Sequence, residues 1–353
     1  MTKLTRSDLV KTAEHLIKPK LLTVLAVILA AVFIPIPPAG KPVEELNASG
    51  SFIVIDGVKI HYVDKGSGDK TFVLLHGFGA SVFSWREVIQ PLSRHGRVVA
   101  LDRPGFGLTE RADPTKTPYN PYTVEGEASL ILRLMKTLNI SKAVFIGHSA
   151  GAYTALYIAS KHPEAVEALV LIAPAWRMRE DGLQRFLLSL PLADKYGPLF
   201  LRAAVPYLEQ ILYKAWYNKN KLTQHVVDGY KYPLNARDWD RGLYWLIKYR
   251  RPVEIDLGQI TASVLVIHCT QDEIVPYEEG VHLHHMLKNS TLKLLENCGH
   301  LPHEEAPEAT LEAMWRFLHL NTEGKILTHG IQHRTCKGEG TGRKGSVLRS
   351  LPA

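Results

Sequence analysis

Cysteine is scarce: Cys269, Cys298 and Cys336 are the only three among 353 residues. Three scattered thiols cannot build the disulfide framework of a small secreted scaffold, and none has metal-ligand spacing. Cys269 reads as strand core and Cys298 as a loop residue, both in packing roles. Internal repeats are also missing, so no repeat architecture is expected. Charge is missing from one long stretch, residues 21–40, "LLTVLAVILAAVFIPIPPAG", which Lys18, Lys20 and Lys41 flank. A helix apolar on every face has no side for water, and a bilayer-spanning helix needs about 20 apolar residues. The run therefore predicts a single N-terminal membrane anchor over residues 21–38, with a cleavable secretion signal as the rival reading. Five basic residues precede it, which places the N-terminus inside and the remaining chain on the extracytoplasmic or lumenal side.

What is present is the composition of a folded body, 46% hydrophobic and 22% charged. The net charge of +7 is uneven. Residues 1–20 hold five Lys or Arg against Asp8 and Glu14; residues 175–251 hold fourteen against seven; residues 322–353 hold six against two. Three basic pieces thus surround an acidic body, a distribution that argues against nucleic-acid binding and is compatible with an anionic lipid surface.

After a polar linker, residues 51–64 read as a hairpin turning at Asp56 and Gly57. Continuous apolar runs follow at 71–77, 97–102, 143–149, 168–174 and 263–269. Such runs are expected of strands covered on both faces. Helical patterns separate them at 84–93, 124–138 and 150–161, so strand and helix alternate as in a parallel sheet with helices on both sides. The alternation stops between Pro174 and Ile255 and then resumes, which marks a helical insertion carrying Trp176, Trp216, Trp239 and Trp245. The expected organisation is a basic segment (1–20), the anchor (21–38), a first core part (51–174), a helical cap (175–255) and a second core part (256–320). A basic tail (321–353) follows, of disordered composition.

The chemistry centres on "GHSAG", residues 147–151, directly after a predicted strand and before a helix. A Gly-x-Ser-x-Gly in that context makes a tight turn that exposes a strained serine, and small residues on either side prevent a backbone clash. A serine hydroxyl needs a base, and the base needs a carboxylate to fix its tautomer. On a sheet of this kind the chain order is Ser, then Asp or Glu, then His. Ser149, Asp272 in "TQDEIVP" and His300 in "ENCGHLPHEEAPE" satisfy it. His303 is the competing base and Glu273 the competing acid. Two donors are needed for the oxyanion: the backbone N–H of Ala150, and that of Phe78 in "HGFGAS" after the strand at 71–75.

Together "HGFG" (76–79), "DRPGFGLT" (102–109), "GHSAG" (147–151), "QDEIVP" (271–276) and "GHLPHEEAPE" (299–308) resemble the blocks of the α/β-hydrolase family, in its order, and the resemblance covers residues 51–320. It implies a doubly wound, mostly parallel sheet with an inserted helical cap over the active site, and a serine esterase or lipase-like activity needing no cofactor or metal. Members with aspartate at the nucleophile position act on epoxides or haloalkanes; Ser149 argues against both. In the family "DRPGFG" is a structural turn, so Asp102 and Arg103 receive no catalytic role. The single glycine in "HGF" resembles the branch that accepts medium or long acyl chains. The expected partner is a small-molecule ester at a membrane lipid surface. Two other readings stay open: carbon-carbon hydrolysis of a vinylogous diketone by the same three residues, and a slow-turnover ligand receptor on the same fold.

Overall fold

A computed structural model describes residues 20–24, 29, 32–178 and 180–320. Residues 1–19 and 321–353, where the basic N-terminal segment and the tail were expected, lie outside the described residues. Among the described residues eight strands form one sheet in the order β1-β2-β4-β3-β5-β6-β7-β8. They are β1 (Ser51–Ile55), β2 (Val58–Lys65), β3 (Thr71–Leu75), β4 (Arg97–Leu101), β5 (Ala143–His148), β6 (Val166–Ile172), β7 (Ser263–Cys269) and β8 (Ser290–Leu295). Strand β2 pairs antiparallel with β1 and β4, and every later pairing is parallel.

The apolar runs have the consequence expected of them. Every side chain of β5 is buried, as is every residue of β7 after Ser263. Each fully buried Val, Leu or Ile contributes about 1.5–3 kcal/mol, so a strand of this kind needs helices on both faces. One face carries α2 (Val124–Thr137), α3 (Ala150–Lys161) and α8 (Tyr277–Met286), through Leu130, Leu134, Leu156 and Leu283. The other carries α1 (Arg86–Leu92) and α10 (Pro307–Phe317), through Val88, Leu92, Leu311 and Met314. The Thr123 side chain caps α2 by accepting from the Gly126 N–H at 3.0 Å, satisfying one of the donors that a helix start leaves without an intrahelical partner.

Between β6 and β7 the described residues form no strand. They form α4 (Gly182–Leu188), α5 (Ala193–Ala215), α6 (Gln224–Lys231) and α7 (Trp239–Tyr249). A short α9 (Pro302–Glu305) follows β8.

The expected membrane anchor is corrected. Among the described residues no helix is long and apolar enough to cross a membrane. The described helical positions of the apolar run end at Phe33, just before Pro35, Pro37 and Pro38. Proline lacks the N–H a helix needs and clashes with the preceding turn. The end of the run lies along the insertion instead: Lys195 Nζ donates to Val32 O and an Arg202 guanidinium N–H to Pro37 O, each at 2.7 Å. The extracytoplasmic placement that rested on the anchor falls with it.

Candidate active site

Gly147 and Gly151 leave no room for a side chain. A Cβ on Gly147 would lie 2.7 Å from the Ala152 Cα, and one on Gly151 would collide with the Leu75 carbonyl. Ser149 between them has φ 50 and ψ −118, a sparsely populated conformation for a residue with a side chain. The turn is held by Ser149 N–H donating to Ile172 O at 2.9 Å and Ala175 N–H to Ser149 O at 3.2 Å. Strand β5 thus delivers the hydroxyl above the carboxyl edge of the sheet, where open α/β sheets place their ligands.

Asp272 and His300 arrive at the same edge, after β7 and β8. Ser149 Oγ lies 2.9 Å from His300 Nε2, and His300 Nδ1 lies 2.8 Å from Asp272 Oδ2. With Nδ1–H donating to the carboxylate, Nε2 is left to accept the serine proton, which is the tautomer a general base requires. Asp272 Oδ1 accepts from the backbone N–H groups of Ile274 at 2.8 Å and Val275 at 3.0 Å. Burial alone would raise the Asp272 carboxyl, but hydrogen bonds from His268 and His300 outweigh it and hold the group well below its usual range. Its charge faces the His300 ring.

The competing candidates do other things. His303 is fully buried, its ring 4.6 Å from those of Trp85 and His148 and neither nitrogen partnered, and burial pushes it down to about 3. It packs the core. Glu273 is exposed to solvent. Phe78 lines the cavity beside Ser149, and Ala150 is the first residue of α3, where a backbone N–H has no intrahelical acceptor. The backbone of Gly77 passes so close that a Cβ there would meet His148 Nδ1 at 2.7 Å. The cavity above Ser149 measures about 230 Å³ and is walled mainly by apolar side chains, Leu208, Ile211, Leu212 and Leu243 of the insertion among them. Of the four tryptophans noted in the insertion, only Trp239 lines it. Trp216 packs with Val226 and Leu301, Trp245 against Tyr122, and the Trp176 indole N–H donates to Glu279 O at 2.9 Å.

Several groups that hold the site were not read from the sequence. The buried Glu305 carboxylate accepts backbone N–H groups from Gly299, Tyr217 and Asn218 at 2.8, 3.0 and 2.5 Å, while His300 N–H donates to Ala215 O at 2.7 Å. The segment carrying His300 is therefore fastened to the end of α5. His148 Nε2–H donates to His300 O at 2.9 Å. Farther from the serine, His61 faces two acceptors, Asp102 Oδ2 at 2.7 Å and Ser49 O at 3.1 Å, so both ring nitrogens donate. Burial works against that charge, but the Asp102 carboxylate outweighs it and raises the imidazole above its usual value.

The reading of the cysteines is also corrected. Cys269 and Cys298 are both buried and joined by a disulfide, their Cα atoms 5.5 Å apart. A separation of 29 residues gives no sign of this; the parallel pairing of β7 with β8, which sets Cys269 opposite Leu295, creates the proximity. The bridge ties the strand leading to Asp272 to the loop leading to His300. Closing a loop of that length stabilises by about 3–4 kcal/mol on chain-entropy grounds. Thiol titration of the denatured, unreduced chain should therefore find one free thiol, and reductant should lower the melting temperature by roughly 5–10 °C. Three titratable thiols, or a melting point indifferent to reductant, would exclude the bond.

Comparison with known proteins agrees with the fold. Residues 70–307 match the family model described as alpha/beta hydrolase fold. The protein of Bacillus subtilis called uncharacterized hydrolase YugF is 30% identical over 268 residues, 75% of this chain and 96% of that one. Monoacylglycerol lipase abhd6-A of Xenopus laevis is 27% identical over 274 residues, 74% of this chain and 79% of that one. The 2-hydroxy-6-oxo-6-(2'-aminophenyl)hexa-2,4-dienoic acid hydrolase of Metapseudomonas resinovorans is 28% identical over 288 residues, 76% of this chain and 90% of that one. The chain is a hydrolase of the α/β-hydrolase fold family.

Proposed function

We propose that the chain is a serine esterase with a preference for apolar acyl groups. The observation that supports this best is the unbroken relay Asp272–His300–Ser149, at 2.8 and 2.9 Å, opening into an apolar cavity. In this reading His300 Nε2 takes the proton of Ser149 Oγ as the oxygen attacks the ester carbonyl. The tetrahedral oxyanion is met by the N–H groups of Phe78 and Ala150, and His300–H⁺ then protonates the departing alcohol. Water, deprotonated by the same histidine, hydrolyses the acyl-enzyme. The helical insertion acts as the cap that confines the acyl chain. A cavity near 230 Å³ is below the ~300–1,000 Å³ of sites for drug-sized ligands, which favours short to medium acyl groups.

Contact with a lipid surface belongs to the same reading and needs no spanning helix. Leu183, Phe186, Leu187 and Leu190, spaced to share one side of α4 and its C-terminal extension, are 42–67% exposed. They belong to an insertion that is rich in basic residues.

The test is fluorophosphonate labelling of the full chain, followed by p-nitrophenyl esters from acetate to palmitate and a 2-hydroxy-6-oxo-6-aryl-hexa-2,4-dienoate. A burst of nitrophenol with an optimum between butyrate and octanoate is expected. Turnover of the dienoate without the esters would replace ester cleavage by carbon-carbon cleavage. An unlabelled protein that binds ligands without turnover would favour a receptor.

A further inference from the structure

Asp272 is met by two histidines. His268, on β7 and fully buried, places Nε2 3.1 Å from Asp272 Oδ2, the oxygen that also accepts from His300, and 3.0 Å from Val275 O. A carbonyl only accepts, so the proton sits on Nε2 and is shared between carbonyl and carboxylate. Nδ1 has no hydrogen-bond partner. It faces Gly280 of α8, where a Cβ would come within 2.5 Å of it. The ring is thus wedged between the helix backbone and the turn of residues 272–275.

The consequence is a carboxylate with all its contacts specified. Oδ1 is held by two backbone N–H groups and Oδ2 by two imidazoles. The Asp272 side chain has no solvent exposure, so any rotation of its carboxylate breaks at least one bond where an unmade hydrogen bond is costly. Through Val275 O the same imidazole also fixes the shape of the turn that presents Asp272.

We propose that His268 is a positioning residue of the site, which locks the Asp272 carboxylate in the orientation that receives His300 Nδ1–H. This rests on the serine-hydrolase reading. His268 does not reach the reacting atoms; it acts through Asp272. A misplacement of the relay by about 1 Å can cost about 100-fold in rate, and the lost bond would be felt in kcat while the acyl cavity, and hence KM, is untouched.

The experiment compares wild type with His268→Leu, which removes the donor, His268→Gln, whose amide N–H₂ reaches the level of Nε2, and His268→Asn, whose amide is too short. Expected for the Leu and Asn variants is a loss of about 10- to 100-fold in kcat at constant KM, with fluorophosphonate labelling slowed in parallel and with Gln restoring most of both. Equal rates for Gln and Asn, or wild-type kcat in a folded Leu variant, would overturn the proposal. If the Leu variant does not fold, the Gln and Asn pair still decides. The low-field proton resonance of His300 Nδ1–H, identified by its absence in His300→Ala, supplies a readout without turnover. It should move in Asn and stay in Gln. Failure of the hydrolase reading would appear separately, as an unlabelled wild type.

Discussion

Ser149→Ala should abolish fluorophosphonate labelling and lower kcat for the best p-nitrophenyl ester by about 10^4- to 10^6-fold, with a protein that stays folded. The size follows from the role: without Oγ no acyl-enzyme forms, and only binding and the oxyanion donors remain to act on a water attack. The folding part follows from local geometry. Ser149 sits at φ 50 and ψ −118, and nothing but His300 is bonded to its hydroxyl. Alanine needs the same backbone and leaves no polar atom stranded except His300 Nε2, which faces the cavity. The turn stores about 1–3 kcal/mol of strain in either protein. The strain persists because Gly147, Gly151 and the bonds to Ile172 and Ala175 leave the chain no other path. Measurement of the nitrophenol burst amplitude per chain tests both halves. An alanine variant that still labels or bursts would place the nucleophile elsewhere.

The contrast between what the sequence shows and what it conceals follows sequence distance. Ser149 lies in a motif whose neighbours are themselves the explanation, Asp272 follows a strand that its apolar run reveals, and His300 follows from the chain order the motif demands. These residues were legible because the cause of their position is local. His268 was not: a single histidine inside "VLVIHC" reads as a core residue, and only the folded turn brings Asp272 and Val275 back onto its ring. The Cys269–Cys298 bridge depends on β7 lying beside β8, a relation of sheet order that no spacing records. The apolar N-terminal run misled for the opposite reason. Its local composition reads as a span, while its helical positions end before Pro35 and its last residues lie along α5. Glu127, within the helical pattern at 124–138, carries no local sign of its role. Its partners come from 24 residues upstream and 123 downstream.

Replacing Glu127 should cost the most stability of any single change considered. Its carboxylate, 1% exposed, is paired with Arg103 and Arg250 and accepts from Thr154 Oγ1 at 2.9 Å. Arg103 in turn donates to His76 O at 2.6 Å, beside the Gly77 turn, and Arg250 closes the insertion and donates to Thr154 Oγ1 at 2.7 Å. Burial alone would raise the Glu127 carboxyl, but the two guanidiniums lower it to about 2. A depressed carboxyl adds stability above its unfolded value near 4.5, and that stability is lost as pH falls towards 2. Glu127→Gln keeps the shape and removes the charge, leaving two guanidiniums facing each other with no anion between them. The expected loss is about 3–5 kcal/mol, seen as a melting temperature lower by roughly 8–15 °C at neutral pH, with the gap to wild type narrowing as both are acidified. Arg250→Leu should cost less, although arginine is the larger side chain, because Arg103 and Glu127 then remain as a balanced pair. If packing rather than charge governed the cluster, the order would reverse. Melting curves of the two variants at neutral pH decide between these, and a Glu127→Gln protein as stable as wild type would show that the cluster carries no net weight in holding the insertion to the core.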